Sequence, residues 1–195
     1  LGLVASLTRR GLKVQTFKVG PDFLDPTWLA LASGRPCYNL DGWMCGENYV
    51  RRLFAEKSAD ADIAVVEGVM GLFDGADATT SAGSSAEIAR WLAAPVVLVV
   101  NSHGVARSLA AVVRGFCGFE AGVEISGVIA NQSGSDRHAA MLSDALQSAG
   151  LPPLIGAVPR NGLPALPSRH LGLVTAGSDL LTPTLLAELA DQVEC

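Results

Sequence analysis

Glu67 closes the run Ile63-Ala-Val-Val-Glu67 and is followed by glycine. A carboxylate at the end of an apolar strand is costly unless it meets water, a partner or a cation. The position suits Mg²⁺, which takes one or two carboxylates and completes its octahedron with water and phosphate oxygens. A strand end that simply reaches solvent is the alternative. Gly68 and Gly71 flank Val69-Met70, a spacing that would let backbone N–H groups approach an anionic cofactor where a Cβ would obstruct. An ordinary turn accounts for the same pattern.

Asp22 and Asp25 lie three apart in a loop opened by Gly20-Pro21. Asp25-Pro26 has the form of a helix start, with Asp25 as N-cap and Pro26 at the first helical position, and capping alone would explain Asp25. Asp22 has no such role and reads as a group for a ligand or cation. Lys18 ends an apolar run, so it either snorkels to solvent or meets phosphate or carboxylate. Asn131 carries an amide able to pair with a donor and an acceptor on a purine edge, and a turn before Gly134 is its alternative.

These residues need elements to hold them, and the chain supplies strands in alternation with helices. Val14–Val19, Ala61–Glu67, Pro95–Val100, Ile125–Ala130 and Leu154–Val158 are apolar and rich in β-branched residues, the pattern of strands covered on both faces. Helical stretches are expected near 47–58, 84–94, 105–116 and 138–149. The opening LGLVASLTRRG has apolar Leu1, Val4 and Leu7 and a glycine stop, like the second half of an amphipathic helix. The fold expected is α/β: a doubly wound, mostly parallel sheet with helices on both faces, in a single domain over 1–195. Ligands of such sheets bind in the crevice at the carboxyl ends of the strands, where Lys18, Asp22, Glu67, Gly68, Gly71, Asn101 and Asn131 all fall.

Composition narrows the function classes. Of 195 residues, 49% are apolar and 17% charged, and 14 Lys and Arg against 19 Asp and Glu give a net charge of −5. No basic run attracts nucleic acid, and no apolar stretch approaches the ~20 residues of a membrane span. Four cysteines without a CxxC pair read as reduced thiols in a cytoplasmic protein. His103, His138 and His170 share no metal-ligand spacing, so surface or capping roles are expected. With no initiating Met and no cap before its first helix, the chain reads as a fragment. Its mean hydropathy of +0.35 suggests apolar surface that meets missing parts or a second copy in a homodimer.

Two blocks go further than generic chemistry: Phe17-Lys-Val-Gly-Pro-Asp-Phe-Leu-Asp-Pro26 and Val66-Glu-Gly-Val-Met-Gly-Leu-Phe-Asp-Gly75. With Asn39-Leu-Asp41, Ser85-Ala-Glu87, Gly127–Asn131 and Leu166–Leu173, they resemble the synthetase domain of cobyrinate a,c-diamide synthases over nearly the whole chain. The resemblance implies a P-loop NTPase-like fold similar to dethiobiotin synthetase and the ParA/MinD ATPases. It implies an ATP- and Mg²⁺-dependent glutamine amidotransferase acting on a corrinoid or related tetrapyrrole polycarboxylate, with ammonia derived from glutamine. Matched by position, Asp22 and Asp25 correspond to acids handling substrate or intermediate, Asp74 to a further functional acid, Glu67 to the metal-binding acid and Asn131 to the adenine contact.

Three departures accompany the match. The family's GxxxxGK[ST] phosphate loop, expected just before Leu1, is not in the sequence; the glutaminase domain expected after Cys195 is missing too; and Asn101 stands where relatives usually carry Asp. A ParA/MinD-like regulatory ATPase is the competing class, although the chain shows neither a basic face nor a membrane-targeting helix. A binding module without catalysis is a third, and nickel sirohydrochlorin a rival substrate to cobyrinate or hydrogenobyrinate.

Overall fold

A computed structural model describes residues 1–164, 168–169, 172–173 and 182–193. Helix α1 (Gly2–Arg9) starts at Leu1 without a side-chain cap, and the chain turns after it through Gly11 at φ 84°. Strand β1 (Val14–Val19) is buried along its whole length. Helix α2 (Asp25–Ser33) ends on Gly34 in the left-handed region, where a residue without Cβ closes a helix at no steric cost. Strand β2 (Tyr38–Leu40), helix α3 (Gly42–Ser58), strand β3 (Ile63–Glu67) and helix α4 (Ser85–Leu92) follow. Next come β4 (Val96–Asn101), α5 (Ser108–Phe119), β5 (Ile125–Ser133), α6 (Asp136–Ser148) and β6 (Leu154–Pro159), then the short β7 (Ser168–Arg169) and β8 (Gly172–Leu173) and helix α7 (Pro183–Asp191).

The α/β class and the parallel pairing are as expected, and the pairing forms two three-stranded parallel sheets, β2-β1-β3 and β4-β5-β6. The backbones of β7 and β8 pair antiparallel. The chain divides into two compact units, one from 1–92 with 164–194 and one from 93–163. In the first, helices cover both faces of the sheet. Phe17, Val19, Leu40, Val50 and Ile88 form the core on one side of β1, while Val14 packs with Val4, Leu29 and Ala32 on the other. That split follows from the strand's period of two. Helix α7 adds Leu189 against the fully buried Trp28. In the second unit the apolar faces of α5 (Leu109, Val113) and α6 (Leu142, Leu146) are buried.

Two elements carry weak sequence signals. β2 is three residues long, too short for alternation to show, and α7 lies past the last expected strand. Helix α3 begins five residues before the expected 47, because Asp41 caps it by accepting the Met44 N–H. Gly46, at φ 75° and ψ 167°, then interrupts it. Of the Leu166–Leu173 motif only the backbones of 168–169 and 172–173 are described; His170 lies outside the described residues.

Candidate active site at the strand ends

Strand register builds the first unit's site. Lys18 pairs with Asn39 on β2 and with Glu67 on β3, so the three form one row across the carboxyl ends of the strands. Lys18 is 4% exposed. Its ammonium donates to Asp25 Oδ2 (2.8 Å), Glu67 Oε1 (3.0 Å) and the Gly68 carbonyl (3.0 Å), which uses all three of its donors. Burial works against the charge. The hydrogen bonds and charges of Asp25 and Glu67 outweigh it and raise the Lys18 pKa above the ordinary lysine value. Lys18 therefore does not snorkel; it holds two carboxylates together.

The two aspartates on the following loop take different local roles. Helix α2 starts at Asp25 with Leu24 as its cap residue and no side-chain capping bond there. Asp22 Oδ1 instead accepts from the Leu24 N–H (2.7 Å) and the Asp25 N–H (3.1 Å), an Asx turn that organises the helix start. Asp25 as N-cap is thus corrected: its carboxylate is engaged by Lys18. Asn39 Nδ2 donates to the Asp22 carbonyl at 2.6 Å, and its buried Oδ1 has no hydrogen-bond partner. The sequence reading gave Asn39 no role, and its one signal was its place in the Asn39-Leu-Asp41 block.

After β3, the glycines have structural reasons. A Cβ on Gly68 would lie 2.8 Å from Ser85 Oγ, and one on Gly71 would lie 2.5 Å from Asp74 Oδ2. The Val69 N–H donates to Ser85 Oγ (2.9 Å) and the Gly71 N–H to Asp74 Oδ2 (2.9 Å). Those two N–H groups are satisfied by Ser85, at the start of α4, and by Asp74 on the loop. Asp74 remains exposed, so it holds the turn while facing solvent.

In the second unit, the Asn131 side chain accepts from the Gln132 N–H (3.0 Å), and Gln132 takes φ 59°. The Asn131 carbonyl accepts from both the N–H (2.8 Å) and the hydroxyl (2.9 Å) of buried Ser102. Asn101 Oδ1 accepts from the His103 N–H. His138 Nδ1 accepts from the Gly134 N–H, so Nε2 carries the proton and donates to the Val105 carbonyl. That bond gives His138 a structural role.

Among the described residues no three His, Cys, Asp or Glu side chains are grouped to cage a metal ion. The donors fit Mg²⁺ in its substrate-associated form, where one carboxylate suffices beside waters and phosphates. Glu67, with 41% of its side chain exposed, is the strand-end carboxylate that such an ion would meet. No described helix is long and apolar enough to cross a membrane.

Residues 46–165 match the AAA domain family. The chain belongs to that family. Over its whole length it is 69% identical to the cobyrinate a,c-diamide synthase of Syntrophotalea carbinolica, of which it spans 42%. It is 44% identical to the cobyrinate a,c-diamide synthase of Dehalococcoides mccartyi strain CBDB1, over 99% of the chain and 42% of that protein. It is 50% identical to the hydrogenobyrinate a,c-diamide synthase of Streptomyces coelicolor, over 91% of the chain and 37% of that protein. The resemblance drawn from the FKVGPDFLDP and VEGVMGLFDG blocks is thereby borne out. The chain spans less than half the length of these relatives.

Proposed function

We propose that this chain is the ATP-dependent synthetase part of a cytoplasmic a,c-diamide synthase acting on cobyrinate or hydrogenobyrinate. The observation that carries the reading is 69% identity over the full chain to a protein of that name. A carboxylate resists attack by ammonia because its leaving group would be oxide. Transfer of the γ-phosphoryl group of ATP to a peripheral carboxylate oxygen gives an acyl phosphate and ADP. Ammonia, released from glutamine by a further domain, adds to that carbonyl carbon; phosphate leaves with the C–O electron pair and one proton is lost.

The protein's task is then to position anions and compensate charge. Lys18 supplies a buried positive charge beside the loop that carries Asp22 and Asp25. Helix α1 packs on β1 through Val4 and Val14 and joins the start of that strand by a short turn at Gly11, so its amino end lies toward the strand's carboxyl end. Helix amino ends favour phosphate, which supports placing the triphosphate there, with a phosphate loop supplied from sequence preceding Leu1. Glu67 would hold Mg²⁺, which compensates phosphate charge when bound. Asp25, Asp22 and Asp74 are the groups to orient substrate or accept the proton lost on amide formation, and Asn131 is the adenine contact.

The test is ATP turnover by the enzyme expressed with its flanking gene sequence. Hydrolysis should require both a tetrapyrrole polycarboxylate and glutamine or ammonia. Glu67→Gln should lower amidation about a hundredfold and shift its Mg²⁺ dependence. Asp22→Asn retains the Oδ1 that makes the Asx turn, so it should spare Mg-ATP binding and impair amidation only. Robust ATP turnover without tetrapyrrole, stimulated by DNA or lipid, would replace this reading with a regulatory ATPase.

A further inference from the structure

Residues 20–24 carry the chain from β1 to α2, and with it Asp22 and the approach to Asp25. Gly20, at φ 84°, turns the chain out of β1 and donates its N–H to the Leu40 carbonyl (3.0 Å). Phe23 is 77% exposed and adds no apolar anchor. Asp22 turns its carboxylate to the segment's own N–H groups, those of Leu24 and Asp25. Among the described residues, one hydrogen bond ties residues 21–24 to the sheet: Asn39 Nδ2 donates to the Asp22 carbonyl at 2.6 Å.

Register places Asn39. It stands opposite Lys18 on β2, and the strand's period of two puts both side chains on one face of the sheet. From there Nδ2 reaches the Asp22 carbonyl; the reversed amide would set Oδ1 against that carbonyl, two acceptors together. The orientation leaves Oδ1 buried without a donor. Lys18 does not supply one, because its ammonium already serves Asp25, Glu67 and the Gly68 carbonyl. An unpaired buried acceptor destabilises a fold, and an apolar side chain of the same size would avoid that penalty. Stability of the sheet therefore does not account for an amide at this position; the bond to Asp22 does.

We propose that Asn39 is a positioning residue for amidation: its amide N–H fixes the Asp22 carbonyl, and so the places from which Asp22 and Asp25 act. This rests on the function proposed above, which gives those two acids substrate orientation or acceptance of the proton lost on amide formation. Both depend on the latch. Asp22 is the residue held, and Asp25 is joined to it by the bond from its N–H to Asp22 Oδ1 (3.1 Å), while Lys18 holds only the end of the Asp25 side chain (2.8 Å). A misplacement of about 1 Å at a reacting centre is enough for roughly a hundredfold loss of rate. Glu67 lies across Lys18 on β3 and is held by that ammonium rather than by the segment, so nucleotide and metal binding do not follow Asn39.

The test is amidation of cobyrinate with ATP and ammonium by the enzyme expressed with its flanking gene sequence, read as kcat and the KM for ATP beside the midpoint of chemical unfolding. Asn39→Leu removes both ends of the amide at similar volume, and Asn39→Asp keeps the acceptor and removes only the donor. Each should lower kcat by about tenfold or more and leave the KM for ATP within about twofold of wild type. Asn39→Leu should unfold at the same denaturant concentration as wild type or a higher one, since the orphaned acceptor goes with the bond. Wild-type kcat in Asn39→Leu overturns the positioning role, and activity kept by Asn39→Asp alone overturns it in favour of the Oδ1 end. A KM for ATP that rises as kcat falls overturns it too, because the damage then reaches the nucleotide site. Should Asn39→Leu fail to fold, Asn39→Asp decides by the same two constants. No amide from the wild-type enzyme overturns the functional reading and this one together, whereas fully active variants overturn this one alone.

Discussion

The carboxyl ends of the two parallel sheets are built from opposite materials. In the first unit they carry Lys18, Glu67 and, on the next helix, Asp25, three formal charges tied by bonds of 2.8 and 3.0 Å around a buried ammonium. In the second they carry Asn101, Ser102 and Asn131, neutral groups whose bonds run to neighbouring backbone. A buried ammonium keeps its charge only while its partners remain, whereas neutral amides and hydroxyls fix backbone shape at little electrostatic cost. Bonds among charges build the first sheet's ends, and bonds from neutral groups to backbone build the second's.

Substituting one residue from each side tests the contrast. Lys18→Met keeps the stem but leaves Asp25 and Glu67 facing each other. It should destabilise the first unit by about 2–3 kcal/mol, less than a fully buried pair because both acids reach solvent. Chemical denaturation at neutral pH measures it, and a loss under about 0.5 kcal/mol would show that the cluster is not structural. The pH dependence has a definite sign. Since the folded-state pKa of Lys18 is raised, its stabilisation is complete below the ordinary lysine value and is lost as pH rises through the folded one. Wild type should therefore lose stability at alkaline pH more steeply than Lys18→Met.

On the neutral side, Ser102→Ala removes one of two donors to the Asn131 carbonyl and leaves the Ser102 N–H in place. A loss of about 1 kcal/mol is expected, visible as a lower denaturation midpoint; a loss as large as that of Lys18→Met would abolish the contrast. Asn101→Asp should have the smallest effect, within about 0.5 kcal/mol, because a carboxylate can still accept the His103 N–H. A large change in Mg²⁺ dependence of amidation in that variant would show that this strand end can also hold charge, and would sharpen the comparison into one between two charged sites.

Residue patterns in the chain alone were enough for the five longer strands, β1 and β3 to β6, because β-branched apolar runs bounded by glycine and polar loops have few other conformations. The same patterns placed Lys18, Glu67 and Asn131 at strand ends, and the two long motif blocks carried the family. Which groups meet was decided by tertiary structure. Lys18 and Glu67 lie 49 residues apart, and their contact depends on the register of β1 against β3. Asp22 and Asp25 look alike in sequence, yet one makes the turn and the other the ion pair, because only Asp25 reaches the face of β1 that carries Lys18. The glycines of the Val66–Gly75 block read as room for an anion, while in the structure Ser85 and Asp74 accept from two of the N–H groups there. Local pattern fixes the face a side chain takes, since it follows from backbone periodicity; the partner it finds there is set by strands and helices brought together from distant parts of the chain.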